Sequence, residues 1–286
     1  MTERLSEISA RIDGMRQLGA VVNAMRGIAA ARVQQARSQL AAVDSYAATI
    51  AAAIGRALAL APPIRPEGAS KLARPALVLF CAEQGFAGAF SERVLDAVGA
   101  DLVASDLFLI GTRGGDIAAE RGVSAGWTSA MPSHSPGIPR LADSIAEAIY
   151  LRIGSGAIDR IDVVFSLWQP GHGIQVERRR LLPLDLSVFP QPMDANAPLV
   201  NLAPDVLLSE LAADDLHAQL CNAALHAFAA ENEARMEAMA AAHKQIERRL
   251  ATLQATQRLV RQEEITAEII ELAAGETASQ PGPEVR

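Results

Sequence analysis

The sequence predicts an α+β/α/β protein: two long terminal helices paired as an antiparallel two-helix coiled coil, with a Rossmann-like α/β insert between them. Three observations carry this expectation. An apolar heptad seam runs from Leu5 to Ala57, a second seam runs from Met236 to Val260, and between them short apolar runs alternate with helical stretches. Hydrophobic types make up 50% of the 286 residues but aromatics only 4%, so the helices approach closely through alanine and the core is thin.

The first helix is expected over residues 1–60. Alternating steps of three and four land on Leu5, Ile8, Ile12, Met15, Gly19, Val22, Arg26, Ala29, Val33, Ala36, Leu40, Val43, Ala47, Ile50, Ile54 and Ala57, and only Gly19 and Arg26 are not apolar. Thr2 stands where an N-cap would be and Glu3 falls in the first turn. A helix of this length measures roughly 80 Å at 1.5 Å per residue, more than one small globular core can cover. Another long element must cover the seam. Arg26 must either snorkel out of it or act as a register-fixing polar residue within it.

The insert is expected over residues 61–204. It opens with the proline- and glycine-rich "APPIRPEGASKLARP" (61–75), which reads as a linker. "ALVLFC" (76–81), "DLFLI" (106–110) and "IDVVFSL" (161–167) read as strands, with helices around 89–99, 115–121 and 138–153. Strands alternating with helices predict a mainly parallel sheet. "GIQVERRRLLPL" (173–184) reads as a further, partly polar edge strand, and a second proline-rich connection follows to residue 204.

The second helix is expected over 205–276, capped at Gly275, with a disordered tail over 277–286. Its seam is Met236, Met239, His243, Ile246, Leu250, Leu253, Gln257 and Val260. If the helices leave the insert at residues 58 and 205 with equal rise, residue 1 falls beside about residue 262. Residues 263–274 then have no partner within the chain, although Ile265, Ile269, Ile270 and Leu272 are apolar.

The net charge of −7 argues against nucleic-acid binding. No apolar run reaches the ~20 residues of a membrane span, and the N-terminus lacks a signal-peptide core, so the chain is expected to be cytoplasmic without direct membrane insertion. Cys81 and Cys221 read as core thiols of a reducing compartment. Charge is uneven, with six arginines within residues 1–37 and Arg235, Lys244, Arg248, Arg249, Arg258 and Arg261 on the second helix. This basic shaft is either a set of solvated faces or a surface for an acidic partner.

Catalytic chemistry is hard to assemble. "GTRGG" (111–115) stands between a strand and a helix, where a phosphate could bind, but it lacks the G-x-G-x-x-G spacing and reads better as an ordinary turn. "AEQGFAGAF" (82–90) has no Walker lysine. The histidines suggest no metal site. No catalytic, cofactor or metal residues are assigned.

Several segments together resemble the gamma subunit of F-type ATP synthases, over about residues 1–276. "VVNAMRGIAAARVQQA" is similar to the family's K-x-M-x-x-V-A-A-A-K-x-R-x-x-Q pattern. "CAEQGFAGAFSERV" resembles S-D-x-G-L-C-G-x-F-N, and "GAIDRIDVVFSLW" followed by "LLPL" resembles its later strands. "AENEARMEAMAAAHKQ" resembles S-E-Q-x-x-R-M-x-A-M-x-x-A-T, and "VRQEEITAEIIELAAG" resembles R-Q-x-x-I-T-x-E-L-x-E-I-x-x-G. The chain departs from these patterns at Ala82-Glu83, Ser91, Gln257 and Arg258, which suggests a divergent branch of the kind an alternative ATP synthase would carry.

The resemblance implies a non-catalytic rotor axle on the cytoplasmic face of a bacterial inner membrane. Its partners would be the alpha and beta subunits of the hexameric head, the epsilon subunit and the membrane ring of c subunits. It points to Met25, Arg26, Arg235, Arg261, Gln262 and Thr266 as contacts to the beta subunits. Ile265, Ile269, Ile270 and Leu272 would turn in an apolar bearing. The competing readings are a cytoplasmic coiled-coil adaptor unrelated to ATP synthesis, and an α/β enzyme with helical arms.

Overall fold

The computed structural model describes residues 3–60, 74–190 and 199–278. Thr2, residues 61–73 of the first proline-rich connection, residues 191–198 of the second and residues 279–286 of the expected tail lie outside them. The chain divides into two compact units: Met1–Gly27 with Met239–Arg286, and Ile28–Ala238. Helix α1 (Glu3–Leu58) and helix α6 (Pro204–Ala278) each contribute to both. α6 runs through Gly275 instead of stopping there.

The larger unit is built on a five-stranded sheet: β1 (Pro75–Phe80), β2 (Asp106–Ile110), β3 (Trp127–Ser129), β4 (Arg160–Gln169) and β5 (Gly173–Leu182), in the order β3-β2-β1-β4-β5. The first four run parallel, and β5 joins β4 antiparallel at the edge, as its mixed polarity predicts. Between the strands lie α2 (Phe90–Val98), α3 (Asp101–Ala104), α4 (Thr112–Glu120) and α5 (Ile138–Gly154), with single 3-10 turns at Ser135–Gly137 and Leu186–Val188. The three-residue β3 and the one-turn α3 are additions to the sequence expectation. Neither is long enough to display a period.

Period-two alternation sends the strand side chains to two faces. Ala76, Val78, Phe80, Phe108, Ile110, Ile161, Val163 and Phe165 meet α5 and α6 through residues such as Ile145, Ile149, Leu220 and Phe228. Leu77, Leu79, Leu107, Leu109 and Val164 meet α2 and α4 through Val94, Leu95 and Ile117. Burial on both faces is why β1, β2 and β4 read as unbroken apolar runs. In this unit Ala29, Val33, Ala36, Ile50, Ile54 and Ala57 of the α1 seam are buried. Arg37 pairs with Glu233 at 2.6 Å, and Asp44 accepts a 2.7 Å hydrogen bond from Asn222, so α1 and α6 run antiparallel.

In the other unit Leu5, Ile8 and Ile12 cluster with Val260, Leu250 and Leu253. Ser9 Oγ accepts from Gln257 Nε2 at 2.9 Å, Gly19 faces Ile246, and Arg4 pairs with Glu263 at 3.8 Å. The helices are antiparallel here too. Partners lie two to four residues further along α6 than equal rise from the insert anticipates. Seam-to-seam packing sets this register, and it carries the paired region to Glu263.

Glycines make the closest approach in the insert. A Cβ on Gly114 would stand 2.1 Å from Cys81 Cβ, whereas one on Gly115 would meet Leu109 at an ordinary 3.7 Å. Gly114→Ala should therefore lower stability by about 1–3 kcal/mol through overpacking. Gly115→Ala on the same helix should be neutral or raise it by up to ~1 kcal/mol. Urea unfolding of the two variants checks the contrast.

Candidate partner-contact site

The residues expected to face partners do not share one environment. Arg235 is buried, with only 5% of its surface exposed. Its Nη2 meets Glu231 Oε1 at 2.5 Å and donates to the Gln84 carbonyl at 3.2 Å. Its Nε donates to the Gly85 carbonyl at 3.2 Å, and Nη1 to Asn232 Oδ1 at 3.0 Å. The expectation that Arg235 presents a charge to a beta subunit is corrected accordingly: every polar edge of its guanidinium is engaged inside the chain. The physical reason is that the loop after β1 folds over this turn of α6.

That loop has a second anchor. Glu83 accepts from the backbone N–H groups of Thr112 (3.0 Å) and Met131 (2.8 Å) and from the Thr112 hydroxyl (2.8 Å). The N-terminus of α4, where "GTRGG" might have held a phosphate, is thus capped by the protein's own carboxylate. The loop also presents Phe86, 66% exposed and at φ +63°, a left-handed conformation uncommon for a non-glycine residue. Phe86 is a surface aromatic that sequence reasoning passed over, since only the backbone reveals its position.

The remaining predicted contacts lie on the surface or near it. Met25 is half-buried, whereas Arg26 leaves the seam, is exposed, and donates to Asn23 Oδ1 at 3.0 Å. Arg261, Gln262 and Thr266 are exposed together on α6, with the Thr266 hydroxyl donating to the Gln262 carbonyl at 2.8 Å. Ile265, Ile269, Ile270 and Leu272 are between 52% and 70% exposed. Ile265, Ile269 and Leu272 share one stripe of the helix, Ile270 stands well off it, and Glu264, Glu268 and Glu271 share another face.

A sequence profile of the ATP synthase family matches residues 4–278. The ATP synthase gamma chain of Parafrankia sp. is 28% identical over 300 aligned positions, covering 99% of this chain and all of that one. The chain belongs to the ATP synthase gamma family. The gamma chain of Chlorobium luteolum is 27% identical over 96% of this chain and 99% of its own length. The gamma-family fold is also seen in a chain of the Euglena gracilis mitochondrial ATP synthase, with a TM-score of 0.62 at 12% identity, covering 99% of this chain and 98% of that one. A chain from the central stalk and c-ring structure of the Tetrahymena thermophila mitochondrial enzyme aligns with a TM-score of 0.57 at 17% identity, over 78% of this chain and 99% of that one.

Two further polar features of this gamma-family chain are internal. His217 Nδ1 lies 2.9 Å from Asp143, and its Nε2 lies 3.3 Å from the Cys221 sulfur four residues on. That spacing is visible in the sequence. Among the described residues no group of three or more His, Cys, Asp and Glu side chains is arranged to hold a metal. Asp162, 3% exposed, is ringed by Arg160, Arg178 and Arg180. Burial alone would raise its pKa, but hydrogen bonds from the three guanidinium groups outweigh that and hold it below the usual carboxylate range.

Burial pushes both thiols up to about 12, with Glu231 and Glu92 adding to the effect at Cys81, and Asp143 at Cys221. Neither should react with iodoacetamide at pH 8 until the protein unfolds, as mass spectrometry with and without denaturant will show. Asp162→Asn should cost about 1–3 kcal/mol of stability at neutral pH. Because the folded pKa is depressed, the contribution is present above the unfolded carboxyl range, near pH 4, and is lost as pH falls through the folded value. The stability gap between parent and variant should therefore close in acid.

Proposed function

We propose that the chain is the central rotor stalk, the gamma subunit, of an F-type ATP synthase. It couples ion movement through a membrane ring of c subunits to ATP synthesis or hydrolysis in a head of alpha and beta subunits, with epsilon beside the insert. The observation that carries this reading is the end of α6, which exposes Ile265, Ile269, Ile270 and Leu272 beyond the Arg4–Glu263 pair. An exposed apolar stripe of this size, with Ile270 outside it, calls for cover from a partner on more than one side. A hexameric head supplies such cover, and rotation within it needs no fixed polar register. Membership of the gamma family over nearly the whole chain favours this reading over the adaptor.

The subunit itself is non-catalytic in this reading, and its work is mechanical. It sits on the cytoplasmic face of the bacterial inner membrane, attached through its partners. No helix among the described residues is long and apolar enough to cross a membrane. Arg26, Arg261, Gln262 and Thr266 are the surface groups that meet the beta subunits, with Met25 at the edge of the seam. The domain scheme follows: helical segments 1–60 and 205–276 form the axle, and 61–204 form the foot.

Omitting the chain should abolish ATP synthesis driven by an ion gradient; membranes without it that still make ATP through the same complex would refute the reading. The double variant Arg26→Glu, Arg261→Glu should fold normally, because both residues are exposed, yet slow coupled synthesis by roughly 2- to 30-fold, the range of a 0.5–2 kcal/mol coupling loss. Hydrogen exchange tests the bearing. Residues 265–272 should exchange quickly in the free subunit and slowly in the assembled complex, since an exposed helix end of this length is marginal in water.

A further inference from the structure

Helix α6 grips the loop after β1 with two successive turns. Glu231 accepts from the backbone N–H groups of Glu83 and Gln84, both at 3.2 Å. Arg235 donates to the carbonyl oxygens of Gln84 and Gly85, and the two charges meet each other at 2.5 Å. Asn232 fills the remaining space: its side-chain oxygen accepts from Arg235, and its amide donates to the Phe228 carbonyl at 2.8 Å. The same short backbone stretch is thus held by its amides on one turn and by its carbonyls on the next. On the far side, Glu83 ties the loop to the start of α4 and to Met131.

Elsewhere the insert meets α6 mainly through apolar side chains, with side-chain bonds only from Arg179 to Gln219 and Asn222 and between Asp143 and His217 among the described residues, none of them to backbone. Apolar contact is non-directional, so it resists separation better than it resists a small sliding or twisting displacement. Charge-assisted hydrogen bonds to fixed backbone atoms have geometry, and four of them cannot survive the same displacement. We propose that Glu231 and Arg235 are positioning residues that lock the α/β insert to α6 against torsional slip, so that force applied to the insert reaches the helix. This rests on the rotor reading given above.

The test uses the assembled complex in sealed vesicles, with Glu231→Gln and Arg235→Lys made separately. Glutamine keeps the shape but turns one acceptor into a donor facing a donor. Lysine keeps the charge but loses the fork that spans two carbonyls. ATP hydrolysis should continue in both variants, while ions pumped per ATP against a rising opposing gradient should fall roughly 2- to 30-fold. Glu231→Gln should fall further than Arg235→Lys. A pair needed only for folding would lower thermal stability and yield while leaving the pumping ratio at every load unchanged, and that result would overturn the lock.

The parent complex supplies a readout that does not depend on either variant assembling. The Glu83 and Gln84 amides should stay as protected from hydrogen exchange during turnover against a gradient as they are at rest. Faster exchange under load would show that the grip opens and would sink the proposal. Omission of the whole chain tests the rotor reading separately. If pumping persists without the chain, that reading falls; if pumping is lost but the two variants pump at the parental ratio, only the lock falls.

Discussion

From Asp215 to Arg235, α6 is buried on nearly every side, with only His217, Gln219 and His226 reaching intermediate exposure. One helix must there contact α1, the sheet and the loop after β1 together, and this constraint governs the larger unit. Close approach on several sides demands small residues, which Ala218, Ala223, Ala224, Ala227, Ala229, Ala230 and Ala234 supply. The low aromatic content follows from the same demand. Polar side chains in such a stretch must find partners, because an unpaired buried charge costs several kcal/mol. Asn222 reaches Asp44 on α1 and Arg179 on β5, Glu233 reaches Arg37 on α1, and Glu231 and Arg235 reach the loop. Each neighbour is thus fixed to the helix by at least one directional bond.

The periodic parts of this arrangement were legible in the sequence. Every position of the α1 seam is buried or half-buried except Arg26, and each position of the α6 seam likewise. The apolar runs that became β1, β2 and β4 were visible for a related reason: a strand buried on both faces must be apolar throughout. Contacts depending on distant segments were not legible. Glu83 caps a helix that begins 29 residues later. Nothing local to "GTRGG" announces that its amides are already taken.

Arg235 shows the same limit from the other side. Counting arginines along a helix treats each as a surface charge, and for Arg26 and Arg261 that holds. For Arg235 the four-residue spacing to Glu231 hints at a pair, but the same spacing joins Glu7 and Arg11, which are largely exposed. The difference lies in a loop about 150 residues away in sequence. Local spacing gave the pairing, and only the tertiary fold gave the burial.

The two ends of α6 invert the usual distribution of side-chain size. Where the helix is buried on nearly every side, from Asp215 to Arg235, alanine is its commonest residue; beyond Glu263 it exposes Ile265, Ile269, Ile270 and Leu272. Folding of the chain alone would favour the reverse, because large apolar side chains gain most from burial, at about 25 cal/mol per Å². The exposed end is therefore unfavourable for the isolated chain unless something outside it covers that surface. Ile270 stands off the stripe of Ile265, Ile269 and Leu272, so that cover has to reach more than one side of the helix. In the rotor reading proposed above, a head that surrounds this end would hold these side chains by shape and hydrophobicity, without directional bonds, and so permit rotation. At residues 231–235 the opposite chemistry prevails, with buried charges aimed at fixed backbone atoms. One helix thus combines a surface suited to turning within a partner with a junction suited to staying fixed to its own insert, and an axle that transmits torque requires both.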